Sequence, residues 1–439
     1  MALSTRDNPQ KGRPVYIVDG SRSPFLKARG GPGPFKAADL AIAAARPLLL
    51  RQPFEAGAID EVITGCITPA PDEVNIARLI ALRLGLGHRV PAWTVQRNCA
   101  SGMQAVDSAW RNIRYGYADL VLAGGVESMS HAPVLFSEKM VRWLSLWQSA
   151  RSFKQRGAAM RKFRPALLAP VIGLLKGLTD PTVGLSMGQT AENLATRFGI
   201  SREEMDVYAV ESHKRLARAQ ESGFLEEIEA IYDVEGKFYE HDDGVRADSS
   251  VEALAKLKPV FDRNFGNVTA GNSAQITDGT AWLLLASESV VKKYRLRVIA
   301  EVIDSQWAAL SPAEMGLGPV HAVVPMLARH RLGPDKIDFW ELNEAFAAQV
   351  LACVRAWRDP HYCTQELGLK KAFGEVPHER LNIDGGGISL GHPVGASGAR
   401  IVLHLAKVLA RHKKARRGVA AICIGGGQGG AMLIENAAG

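Results

Sequence analysis

The stretch VQRNCASGMQ (95–104) ends an apolar run and sets Cys99 where a new helix begins. Small Ala100, Ser101 and Gly102 leave the thiol uncrowded, and no acidic residue follows before Asp107. A helix N-terminus carries positive partial charge, so the expectation is a lowered thiol pKa and a nucleophile. A free cysteine is equally good core filler, and Cys99 taken alone does not decide between the two. GGGISLGHPVGASG (385–398) holds His392 before Pro393, away from helical geometry, where an imidazole can act as base or hydrogen-bond donor. A purely structural histidine fits that turn as well. CIGGGQGG (423–430) sets Cys423 at a strand end ahead of Gly425, and backbone N–H groups in such a run can hold an oxyanion. A tight turn between buried strands would read the same way. ELNEAFA (341–347) ends an apolar strand on Asn343 and Glu344, which must there be hydrogen-bonded or functional.

Four such distant stretches need a scaffold that gathers them. VYIVDG (15–20), EVITGCI (61–67), AWTV (92–95) and DLVLAGG (119–125) read as strands. Helical runs at 36–50, 75–86 and 100–115 alternate with them, which predicts a layered α/β domain. The last third repeats the pattern in order. IDEVITG (59–65) is echoed by IDFWELN (337–343), CASGMQAV (99–106) by GASGARIV (395–402), and LVLAGGVESM (120–129) by AICIGGGQGGAM (421–432). Three ordered echoes favour a duplicated unit over chance likeness.

Composition narrows the setting. The chain of 439 residues is 47% hydrophobic and 22% charged, and its five cysteines are scattered without metal-type pairs. That usage predicts a reducing, cytoplasmic environment, no disulfide framework and no metal site. MALSTRDNPQKGRP has no apolar core, which argues against a secretory signal. The net charge of +8 is local, because nine Lys/Arg and no Asp or Glu lie between Lys139 and Thr179. A general nucleic-acid surface is therefore not expected.

Residues 132–261 differ from the repeats and read as an inserted, loop-rich subdomain, with a capped helix at 201–222 (SREE). Within it, Met140, Trp143, Leu144 and Trp147 form one apolar helical stripe among the cations of 139–177. Three readings stand: peripheral contact with an anionic inner-membrane surface, docking of a partner subunit, and packing on the rest of the fold. EHDD (240–243) reads as a solvated turn in preference to a metal site.

NCASG, NEAFA, GHPVGASG and CIGGG, with MGQTAEN (187–193), TAGNSAQITDG (269–279) and MGLGP (315–319), resemble the thiolase family in order and spacing. The likeness runs from Val15 to Ile434. It implies a five-layered αβαβα fold: an N-terminal half at 1–131 completed by 262–290, a loop domain at 132–261, and a C-terminal half at 291–439. It implies, further, Cys99 as nucleophile, His392 as base, Cys423 as acid/base, and Asn343 as holder of an oxyanion-hole water. The N–H groups of Cys99 and Gly425 would form a second oxyanion hole. Ser273, Met187, Met315 and Phe346 become candidate contacts to a CoA thioester, with coenzyme A a substrate and no cofactor needed. A hydroxyl residue common in the family at Ala274 is displaced here to Ser273. Extra residues near 137–180 and 357–381, with FDRNFGNVTAGNS, are similar to the β-subunit of the fatty-acid-oxidation trifunctional complex, although Asn343 stands where that subunit often has histidine. The implied activity is cleavage of medium- or long-chain 3-ketoacyl-CoA in β-oxidation, by a homodimer or homotetramer with a hydratase/dehydrogenase partner. An acetoacetyl-CoA-forming thiolase is the alternative. A ketoacyl-synthase-like enzyme would not be expected to carry the Cys423 motif, and an inactive lipid-binding relative would be expected to have lost one of the four motifs.

Overall fold

The computed structural model describes residues 12–437, so most of the N-terminal stretch read for a signal lies outside it. In chain order, β1 (Val15–Arg22), α1 (Ala37–Leu50), β2 (Glu61–Gly65), α2 (Ile76–Arg83), β3 (Ala92–Val95), α3 (Ser101–Arg114) and β4 (Leu120–Ser128) build the first half. The insertion follows, with α4 (Glu138–Ser149), α5 (Phe153–Arg161), α6 (Met187–Arg197) and α7 (Arg202–Glu221). Then β5 (Thr277–Ser287) returns to the sheet and α8 (Glu288–Tyr294) leads away. The second half holds β6 (Ala300–Ala309), α9 (Gly318–Arg329), β7 (Phe339–Leu342), α10 (Ala347–Arg358), α11 (Val394–Arg411), β8 (Arg417–Ile424) and β9 (Gln428–Asn436).

Strand order exposes the duplication. The first half runs β1-β5-β4-β2-β3 and the second β6-β9-β8-β7, with the same helix between equivalent strands. In both halves the internal pair is parallel (β2 with β4, β7 with β8) and the returning strand antiparallel. The halves meet edge to edge through only two residue pairs, Tyr16 with Glu301 and Ile17 with Ala300. Their main union is a shared middle layer, in which α3 and α11 lie together between the two half-sheets. Met103 and Val106 of α3 and Ile401 and Leu405 of α11 pack there against Val121, Leu283 and Ile422. Outside, α1 and α2 cover the first half and α9 the second, which completes five layers. Every residue of β5 (TDGTAWLLLAS) is buried, because both of its faces are covered.

The middle helices approach through glycine. A Cβ on Gly102 would sit 2.8 Å from the Ala399 nitrogen, and one on Gly398 only 2.6 Å from the Met103 nitrogen. Backbone contact of this kind tolerates no side chain, so the GASG-type repeats are a packing requirement as well as an echo.

In the insertion one open reading narrows and one expectation is corrected. The stripe of α4 does not face outward: Met140 is buried, Trp143 stacks on Trp147 and meets Phe163, and its indole N–H donates to the Ala159 carbonyl at 2.9 Å. The buried residues of α4 and α5 form this small core apart from the main ones, whereas α6 and α7 pack into a main core through Leu194, Met205 and Ala209. EHDD is not a simple solvated turn either. Asp242 is buried, since its two carboxylate oxygens accept from Arg22 at 2.7 Å each, and no described cluster of His, Cys, Asp and Glu suits a metal. No helix among the described residues is long and apolar enough to cross a membrane.

Candidate active site

Cys99 lies two residues before α3, on a turn that Asn98 makes possible. Asn98 adopts φ +43°, a left-handed conformation asparagine tolerates better than most residues. The turn is tied on both sides. The Arg97 N–H donates to Ser101 Oγ at 2.9 Å, Ser101 Oγ donates to the Asn98 carbonyl at 2.7 Å, and Asn98 Nδ2 donates to the Gly425 carbonyl at 2.8 Å. That last bond fastens the Cys99 turn to the β8–β9 turn and so brings both cysteine motifs together. Asn98 and Ser101 were not singled out from the sequence, although both sit inside the motif that was.

The surroundings correct the expected thiol chemistry. Burial pushes the Cys99 pKa above its ordinary value, and the buried charge of Glu127 adds to the rise. The N–H groups of Gly425 and of Cys99 itself point at the sulfur and pull the other way without prevailing. The first turn of α3 has no acid, as expected, yet burial is the largest influence on the thiol. Cys423 is held well above the usual thiol range, first by burial and then by neighbouring Cys99 and Cys353. Both cysteines therefore rest as thiols.

His392 lies just before α11, whose first residues touch those of α3. Its Nδ1 is 2.6 Å from Ser397 Oγ, and that hydroxyl donates to the Pro393 carbonyl at 3.1 Å. With its only proton spent there, Ser397 must accept from His392, so Nδ1 carries the imidazole proton and Nε2 keeps a lone pair. Burial, reinforced by the nearby Arg400 charge, lowers the His392 pKa to about 4. A neutral imidazole with a free Nε2 is a proton acceptor at neutral pH. Asn343 Nδ2 lies 3.4 Å from that Nε2, and Asn343 Oδ1 is buried without a partner. Glu344 serves the frame: its carboxylate accepts from Tyr208, Ser212, Asn382 and the Ile388 N–H, which fixes the loop leading to His392.

Cys99, His392 and Cys423 open onto one cavity of about 540 Å³. Met187, Met315, Phe346 and Ser273 line it too, so each of the four proposed contact residues reaches the site. Ser273 spends its hydroxyl on the Thr269 carbonyl at 2.7 Å. Phe346 stands edge-on to Phe261, with ring centroids 5.9 Å apart. Leu175 and Leu178, from the end of the basic insertion, also form part of the wall, and no sequence signal pointed to them. Lys27 and Arg246 bring positive charge to the same cavity.

Comparison with known proteins places these features. Residues 15–289 match the thiolase N-terminal domain and 296–436 the thiolase C-terminal domain. The β-ketoadipyl-CoA thiolase of Pseudomonas aeruginosa is 39% identical, over 96% of this chain and 99% of its own length. The mitochondrial trifunctional enzyme subunit beta of Homo sapiens is 36% identical, over 96% of this chain and 88% of its own. Among solved structures, human mitochondrial 3-ketoacyl-CoA thiolase in complex with CoA superposes with a TM-score of 0.82 at 34% identity, covering 97% of this chain and 98% of the other. The Bacillus anthracis acetyl-CoA acetyltransferase gives 0.83 at 34% identity, covering 97% and 99%.

Proposed function

The chain belongs to the thiolase family of acyl-transferring enzymes, and we propose that it cleaves 3-ketoacyl-CoA with an apolar acyl chain to acetyl-CoA and a shortened acyl-CoA. The supporting observation is the single cavity lined by two thiols and a neutral imidazole, with two backbone N–H groups directed at the Cys99 sulfur. In this reading His392 Nε2 takes the Cys99 proton as the sulfur attacks the 3-keto carbon. The developing oxyanion accepts from the Cys99 and Gly425 N–H groups. The C2–C3 bond then breaks, its electron pair forms the acetyl-CoA enolate, and the Cys423 thiol protonates C2. The enolate oxygen accepts from the now protonated His392 Nε2 and from a water held by Asn343. A second CoA gives its thiol proton to the Cys423 thiolate and attacks the acyl thioester, and Cys99 departs with a proton from His392. Protons and electrons balance without a redox carrier, so CoA enters as substrate, in ping-pong order.

The walls bear on substrate class. Met187, Met315, Phe261, Phe346, Leu175 and Leu178 present apolar surface, suited to a medium or long alkyl chain. Lys27 and Arg246 suit the phosphates of CoA. Rates with 3-ketoacyl-CoAs of four to sixteen carbons, beside β-ketoadipyl-CoA, test the assignment. A kcat/KM that is highest for the four-carbon substrate would favour an acetoacetyl-CoA thiolase, and one highest for the dicarboxylic substrate would overturn the apolar reading.

We infer for the insertion a peripheral contact with an anionic membrane, at the cytoplasmic side of a cell's inner membrane. Phe153 is 93% exposed, and Val141, Leu146, Met160 and Leu168 are exposed near it in sequence, among the nine cations of 139–179. Apolar side chains with flanking cations and no interspersed acid suit anionic headgroups.

A further inference from the structure

A second cavity, of about 450 Å³, shares no lining residue with the catalytic one. Three parts of the fold form it. Asp19 and Arg51 come from the first half, Phe224 and Glu226 from the insertion, and Arg295, Arg297, Lys407 and Arg411 from the second half. Five cations thus face two carboxylates. Arg51 is engaged by Asp19 at 2.7 Å and by Glu229, and Arg411 is bound to Asp384 at 2.6 Å while covering the Phe224 ring at 4.1 Å. Arg295, Arg297 and Lys407 have no ion-pair partner among the described residues, and Glu226 is the one uncommitted carboxylate of the lining. Arg295 is moreover held at φ +53° as the residue that ends α8, a left-handed position better suited to glycine or asparagine.

Three uncommitted cations around one concavity repel each other unless an anion joins them. Arg51 and Arg411 are committed to their own carboxylates, whereas exposed Arg295 and Arg297 and half-buried Lys407 are left to meet an anion entering the concavity. The catalytic mechanism uses none of these residues. The cavity lies towards the far end of α11 from His392: its nearest lining residue on that helix, Lys407, is 13 residues from Val394, roughly 20 Å along the axis. Its volume falls in the ordinary range for small-molecule sites, about 300–1,000 Å³, and is too small and concave for a macromolecular surface. From this geometry we propose that the cavity binds a small polyphosphate-bearing ligand, with Arg295, Arg297 and Lys407 as its anion contacts.

Isothermal titration of the full-length protein with inorganic pyrophosphate and tripolyphosphate, at fixed ionic strength, tests this. The same titration on a Lys27→Ser/Arg246→Ser double variant, whose substitutions lie in the catalytic cavity, separates the two sites and should leave the binding unchanged. Saturable binding is expected, weaker for monophosphate and sulfate, and at least about tenfold weaker in an Arg297→Ser/Lys407→Ser double variant. Both substituted residues lie outside the catalytic cavity, so thiolysis without added phosphate reports that the variant is folded. Absence of saturable binding in the parent protein, equal binding in the Arg297→Ser/Lys407→Ser variant, or binding lost in the Lys27→Ser/Arg246→Ser variant would each overturn the proposal.

Discussion

Replacing His392 by alanine separates two ways of activating Cys99. If the helix end alone generated the nucleophile, loss of the imidazole would matter little. The structure argues otherwise, because burial holds the thiol above its ordinary pKa of 9.0. At pH 7 such a thiol is at most about 1% thiolate, since each pH unit below the pKa costs a factor of ten. A neutral His392, with its pKa lowered to about 4, supplies the missing proton acceptor across the whole neutral range. Alkylation of Cys99 by iodoacetamide in the parent protein should therefore change little from about pH 5.5 to 8. In His392→Ala it should fall by about 100-fold at pH 7, equivalent to ~2.7 kcal/mol, and climb tenfold per pH unit towards the parent rate. Intact-mass spectrometry follows the labelling, with Cys99→Ser as the control that identifies the site. Ser397→Ala, which frees the imidazole to rotate and exchange tautomers, should give an intermediate loss with the parent's flat profile. Two parallel pH profiles for parent and His392→Ala would refute the reasoning, because the base would then make no contribution to the nucleophile.

Cys423→Ala should retain acyl transfer from an acyl-CoA donor onto Cys99, read by intact mass, and lose carbon–carbon cleavage by at least about 100-fold. Equal loss of both in a folded variant would remove Cys423 from the proton step. His404→Gln should destabilise the protein by about 3–5 kcal/mol at pH 6.5, the cost of leaving the buried Glu227 carboxylate without its cation. Because pairing with Glu227 raises His404 from 6.5 to about 10 in spite of burial, that stability is full below pH 6.5 and fades as the pH rises towards 10. Denaturant titrations should show the gap between parent and variant closing over that interval, and a constant gap would count against the pairing. The intact protein should cosediment with anionic liposomes at low salt and release at high salt, with Phe153→Ser weakening the association; recovery in the supernatant at low salt would exclude the membrane reading.

The sequence made the repeating architecture readable because the close approach of α3 and α11 leaves a local mark in both halves. The small residues of CASG and GASG recur where backbone meets backbone, whereas β5, buried on both faces, was not read as a strand from the sequence. Three of the four chemical motifs were legible because they sit on turns where Asn98, Gly391 and Gly426 hold left-handed φ, and the fourth because Asn343 and Glu344 end an apolar strand. What stayed hidden is what depends on distance in the chain. Nothing near Cys99 in sequence predicts that burial is the largest influence on its thiol, because the burying atoms come from the second half and the insertion. The inward turn of Trp143 is likewise invisible until α5 supplies the Ala159 carbonyl. The same holds for Leu175 and Leu178, which look like ordinary surface residues until the insertion folds back over the cavity.

Asp242 shows how such distant contacts hold the catalytic parts in register. Arg22 on β1 binds Asp242 and Glu227 of the insertion, Glu227 binds His404 on α11, and His404 reaches Asp384, 3.2 Å away, in the loop before His392. Arg400, one turn below, pairs with Glu341, two residues before Asn343. Buried ion pairs add little net stability compared with apolar packing, but removing one partner leaves a stranded charge at about 3–5 kcal/mol. That asymmetry penalises wrong placements more than it rewards the right one. A site whose oxyanion donors come from both halves needs this kind of constraint, since a 1 Å shift between the halves would separate the Gly425 N–H from the Cys99 sulfur. The charged chain therefore does for the relative position of the two halves what the two residue pairs between β1 and β6 are too few to do.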